Sequence, residues 1–263
     1  MSLEARLRPR PLSPHLAIYR RTMTMFMSIV HRLTGMALYF GTLLLTWWLI
    51  AAAEGQTSYQ LFESWLGSPA GKLILLCYTW ALIHHLLGGR RHFAWDIGQG
   101  FDLPTANLMA RATLIRLCHP HRPGLDYRDL DEGSTLMKDM RTQLSRVSGL
   151  GSAKSGTRDF WIQRLTAAAN VPLALLLIAF VVALTGADYA MVRSYFGNPL
   201  VAIPMLLLVL SGTWHMRIGM QVILEDYIHK EGPKVVLLAL NNFFSAVVAI
   251  AGVYAILKIG IQS

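Results

Sequence analysis

The sequence predicts an all-α transmembrane helix bundle of about five membrane spans, in two halves joined by a cytoplasmic linker. Three observations predict it. Hydrophobic residues make up 54% of the 263-residue chain and charged residues only 15%. The apolar residues gather in five stretches without Asp, Glu, Lys or Arg: residues 33–53, 73–89, 165–187, 198–216 and 235–257. These hold 21, 17, 23, 19 and 23 residues, against the roughly 20 needed to cross a hydrocarbon core of about 30 Å. Finally, of 24 Lys and Arg, six fall in the first 32 residues and twelve between Arg90 and Arg164. Basic loops stay on the cytoplasmic side, so the N-terminus and the long middle segment are expected inside and the C-terminus outside. The same distribution accounts for the net charge of +9, and no nucleic-acid partner is expected.

Taken in order, residues 1–32 form a basic, Pro-containing lead-in to span 1. Spans 1 and 2 make a hairpin, giving a first half of residues 1–102. Span 2 is the shortest and carries His84 and His85. The text "LPTANLMARATLI" then begins like another helix but gives way to a polar stretch rich in Gly, Pro and Ser, so residues 103–157 read as a linker. Spans 3 to 5 fill residues 158–263, and Pro172 and Pro204 inside them are expected to kink their helices. Span 1 starts too late and is too long for a signal peptide. Cys77 and Cys118 make no disulfide framework, and no C-x-x-C-H offers covalent haem attachment.

Ionisable residues inside spans are costly and point to function. His85 precedes Asp96 by eleven residues, and His215 precedes Asp226 by eleven. Both spans run from outside to inside, so each imidazole lies about 16 Å from an aspartate at the cytoplasmic edge. Equal depth on parallel helices suits a flat ligand clamped between the rings, as in bis-His haem. Paired structural histidines or a proton relay satisfy the same spacing. For His84 an interhelical hydrogen bond is the expected role. A haem also needs cations for its propionates. His92 shares the His85 face one double turn nearer the cytoplasm, Arg90 and Arg91 flank it, and His31, Arg32 and Arg164 open spans at the same edge.

"RPLSPHLAIYR" followed by "SIVHRLTG" (28–35) and "HHLLGGRRHFAWD" (84–96) resembles the cytochrome b subunit of succinate dehydrogenase. "RDFWIQRLTAAANVPL" (158–173) and "WHMRIGMQVILEDYIH" (214–229) resemble its companion hydrophobic membrane anchor subunit. The resemblance implies a fused two-part anchor of succinate:quinone oxidoreductase in a bacterial inner membrane. It implies His85 and His215 as axial ligands of one haem b, and His31, Arg91, His92 and Arg164 near its propionates. It implies a ubiquinone site of Ser28, Arg32, Asp226 and Tyr227. The implied partners are a flavoprotein subunit with FAD and an iron–sulfur subunit, since the chain holds no motif for either cofactor.

Each subunit of that family has three spans, and here the first half lacks its third. The hypothesis is that "RLCHPHRPGLDYRDLDEGS" is out-of-frame text joining two neighbouring genes, with Met137 near the old start of the second. The other reading frames of the underlying DNA are expected to encode an apolar helix after Ile115, and finding none sinks the idea. Three other readings compete: a five-helix anchor with two haems, a purely structural anchor without quinone chemistry, and a transporter. The first lacks a second histidine pair, since His215 is alone in spans 3 to 5. The last lacks paired broken helices.

Overall fold

The computed structural model describes residues 22–118 and 156–262. The basic lead-in before Thr22 and most of the expected linker, Met137 included, lie outside the described residues. Within them stand eight α-helices and no strand. Helix α1 (Met23–Glu54) starts where the Thr22 hydroxyl accepts from Met25 N–H. It turns into the short α2 (Gln56–Gly67) and then α3 (Pro69–Asp96), where Ser68 caps and Pro69 occupies the first turn. A turn through Gly98 and Gly100 leads to α4 (Leu103–Cys118), which Asp102 caps by accepting from Thr105 N–H at 2.9 Å. The second half follows as α5 (Gly156–Ala183), α6 (Tyr189–Gly197), α7 (Pro199–Tyr227) and α8 (Glu231–Gln262).

Five of these, α1, α3, α5, α7 and α8, are long and apolar enough to cross a membrane. The 17 charge-free residues of the second stretch belong to a 28-residue helix of about 42 Å, so its charged groups sit near the helix ends rather than midway. Helices α5 and α7 run on through Pro172 and Pro204.

Ion pairs mark the two ends of the bundle. At one end Arg32 of α1 pairs with Asp226 of α7 at 2.7 Å, and Arg164 of α5 pairs with Asp96 of α3. At the other end Lys258 of α8 meets Glu54 of α1 at 2.8 Å. Helices α1, α5 and α8 therefore leave the first end, and α3 and α7 return to it. Helix α1 is the hub, packing on α3 and α4 of its own half and on α7 and α8 of the other. At the Glu54 end Ala51, Ala52 and Ala53 are buried; such small residues let membrane helices approach closely.

The halves repeat one pattern: long helix, short helix, long helix, then a fourth. In the second half the fourth is α8, with 32 residues; in the first it is α4, described as far as Cys118. The segment expected as a linker thus opens with a helix that packs on α1 and α3 through Ala106, Ala110 and Thr113. Those small buried side chains at positions i, i+4 and i+7 lie on one helix face, and packing along that face favours helix over linker.

Candidate functional site

The inner part of α3 presents two faces. Ala81, His84, Gly88 and Arg91 are buried, while His85 and His92, seven residues apart, share the neighbouring face. His85 lies flat on His31 of α1, with ring centroids 4.1 Å apart and planes 6° from parallel. Its other neighbour is His215 of α7, with centroids 6.3 Å apart and planes 79° from parallel. Gly88 permits the first contact: a Cβ there would stand 2.3 Å from His31 Nδ1.

The hydrogen bonds assign the tautomers. His85 Nδ1 lies 3.3 Å from the carbonyl oxygen of His31, which only accepts, so Nδ1 carries the proton. Thr166 Oγ1 donates to Ile162 O at 2.7 Å. Its oxygen therefore accepts from His215 Nδ1 at 3.2 Å. Each neutral ring then carries its lone pair on Nε2. Metal-bound histidines are oriented in this way, by a hydrogen bond from the other ring nitrogen. Among the described residues no three His, Cys, Asp or Glu side chains form a metal site. A porphyrin iron does not need one, because the macrocycle supplies four of the six ligands.

Around this pair stand buried nitrogens without partners. Arg91 is 5% exposed, with Nε and Nη1 unbonded, and its guanidinium lies 5.9 Å over the Trp95 ring. His31 Nδ1 is also unbonded, and His92 sits 5.3 Å from the His31 ring. Arg91 and His31 therefore offer N–H groups to an anion, as a propionate would require. Arg164 is differently placed: its Nε and Nη2 both donate to Asp96. His84 does not make the interhelical hydrogen bond expected of it. It is fully buried, both nitrogens lack partners, and its ring stacks on Trp80 at 5.4 Å.

The four residues expected at a quinone site come from both halves. Arg32 Nη2 reaches Asp226 Oδ2 at 2.7 Å, and the same guanidinium lies 5.4 Å from the centre of the Tyr227 ring. Ser28 is exposed one helical turn before Arg32, on the same side of α1. The cluster is open, with Arg32 and Asp226 side chains 35% and 45% exposed, so a ligand can reach it. Sequence reasoning missed Thr166, the partner of His215, and the pairing of Arg164 with Asp96. Neither leaves a local signal, because 49 and 68 residues separate the partners.

The family model for the succinate dehydrogenase/fumarate reductase transmembrane subunit matches residues 6–117 and again residues 138–255. The chain is 40% identical to the succinate dehydrogenase cytochrome b556 subunit of Paracoccus denitrificans over 105 residues, covering 40% of this chain and 81% of that protein. It is 31% identical to the succinate dehydrogenase hydrophobic membrane anchor subunit of Rickettsia bellii over 118 residues, covering 45% of this chain and 94% of that protein. It is 34% identical over 111 residues to the mitochondrial cytochrome b560 subunit of Mus musculus, covering 64% of that protein. No solved structure matches. Two consecutive matches to one family model, in a chain about twice the length of the two bacterial relatives, fit a fusion of two such subunits. The chain belongs to the succinate dehydrogenase/fumarate reductase transmembrane subunit family.

Proposed function

We propose that this chain anchors a succinate:quinone oxidoreductase in the membrane, binds one haem b through His85 and His215, and reduces ubiquinone beside Arg32, Asp226 and Tyr227. The distribution of basic residues puts that end of the bundle at the cytoplasmic face, with the N-terminus inside and the C-terminus in the periplasm. A flavoprotein with FAD and an iron–sulfur subunit dock there and deliver the electrons of succinate. The carrying observation is that two imidazoles, one from each half, meet with Nδ1 of each engaged, which leaves the lone pair of each ring on Nε2.

His85 and His215 would hold the iron; Arg91 and His31 would offer their unpaired nitrogens to the propionates, with His92 beside them and Arg164 engaged by Asp96. When bound, haem supplies a one-electron relay at the depth of these rings. Reduction of ubiquinone to ubiquinol takes two electrons and two protons. Arg32 and the Tyr227 hydroxyl polarise one carbonyl oxygen and stabilise the charge that develops on it, while the Ser28 hydroxyl holds the other. Asp226 relays protons from the cytoplasm. Its carboxylate holds Arg32 until a quinone oxygen competes for the guanidinium, and it recovers its charge when it passes a proton on.

A purely structural anchor is the second reading, favoured by the two candidate spans of the first half against three in the second among the described residues. Haem content and a reduced-minus-oxidised spectrum of the purified complex separate the two. One haem per chain, with bis-imidazole absorption, is expected. None would leave the structural anchor standing, and two would require ligands not identified in this chain.

A further inference from the structure

Arg217 lies two residues beyond His215 on α7 and nine before Asp226. Nine residues of helix place it about 14 Å from the ion-paired end, near the middle of a hydrocarbon core of about 30 Å. An arginine at that depth is costly and by default has a function. Its Nη1 donates to Asn242 Oδ1 at 2.8 Å. Among the described residues it meets no carboxylate, whereas Arg32 and Arg164 each hold an aspartate. The neighbouring Asn241, 4% exposed, donates from Nδ2 to the Arg217 carbonyl at 2.9 Å. Two successive asparagines of α8 thus fix both the side chain and the backbone of this residue. A tie between two membrane helices needs only neutral hydrogen-bonding groups. The tie therefore leaves the positive charge unexplained.

We propose that Arg217 acts on the haem electrostatically, its uncompensated charge raising the reduction potential of the iron between His85 and His215. This rests on the haem reading above. A guanidinium is a permanent cation in proteins. Reduction adds one electron, supplied by the iron–sulfur partner, to the iron; Arg217 makes no bond and moves no proton. In a low-dielectric interior a fixed positive charge favours the more negative state, and protein charges and hydrogen bonds near a metal centre tune its potential. The charge sits two residues from His215 on α7, and Asn242 of α8 holds it in place.

The test is a spectroelectrochemical titration of haem in the assembled complex for wild type, Arg217→Gln and Arg217→Lys. Gln keeps a donor for Asn242 without the charge, and Lys keeps the charge. At a fixed potential the reduced-to-oxidised ratio is expected to fall at least tenfold in Arg217→Gln, a midpoint lower by about 59 mV or more for a one-electron couple. Arg217→Lys should stay within about threefold of wild type. An unshifted midpoint in haem-loaded Arg217→Gln overturns the proposal, and so do equal shifts in the two variants or loss of haem from both. Loss of haem from Arg217→Gln alone also overturns it, because the charge would then retain the haem rather than set its potential. A wild-type complex without haem would instead defeat the haem reading, and that is seen before any variant is compared.

Discussion

Arg32→Ala in the assembled complex is expected to slow ubiquinone reduction by roughly 10²–10³-fold, the usual cost of removing one preorganised stabiliser of developing charge. Succinate oxidation by a soluble artificial acceptor should be unchanged, because that reaction bypasses the anchor. Two features make Arg32 the most sensitive position. Among the described residues it is the only side chain that meets both Asp226, at 2.7 Å, and the Tyr227 ring, at 5.4 Å, so one truncation removes the cation and releases its neighbours. The pair is also partly exposed, and exposed ion pairs contribute little to stability. The variant should therefore fold, assemble and lose rate rather than protein. Tyr227→Phe removes only a hydroxyl and should give a smaller loss in the same assay. Equal ubiquinone reductase rates in Arg32→Ala and wild type would remove this cluster from the chemistry.

Much of this arrangement was legible before any coordinates, for reasons that can be traced to particular residues. The bilayer permits few ways of crossing it, so five charge-free stretches led directly to five spanning helices. The helical rise is constant, so the eleven-residue spacings from His85 to Asp96 and from His215 to Asp226 located both rings at one depth. What spacing along one helix cannot supply is rotation relative to another. That is why Arg164, expected toward a propionate, is bound to Asp96 instead. It is also why His84, one residue from a ring in the site, turns to a different face and stacks on Trp80. Helix α4 escaped for another reason. Its sequence is ambiguous between helix and linker, and the choice is made by Ala110 and Thr113 packing on helices far away in sequence. Arg217 is plain in the sequence of α7, but that it meets no carboxylate among the described residues is a property of three dimensions.

His215→Ala is expected to reduce haem content to roughly a tenth of wild type or less, with loss of the bis-imidazole spectrum, since no other histidine lies in α5, α7 or α8 before His229. The site is unequal in this respect. On α3 the neighbour His84 is adjacent to His85 in sequence, but consecutive side chains on a helix do not share a face, and His84 is fully buried on its own face. Replacement of His84 by Ala should therefore leave haem in place, whereas His85→Ala should match His215→Ala. The bundle itself should persist in both ligand variants. Its end contacts, Lys258 with Glu54 and Tyr189 hydroxyl with the Ala52 carbonyl at 3.1 Å, lie at the opposite end from Asp96 and Asp226. A graded companion is Thr166→Val, which keeps the ligand but removes the acceptor that orients His215 Nδ1. Such outer partners are worth about 10–100-fold in metal affinity, so haem should be retained at high supply and lost on dilution. Full haem in His215→Ala would mean that the ring spacing of 6.3 Å is a packing coincidence, and the relay would have to be sought elsewhere in the chain.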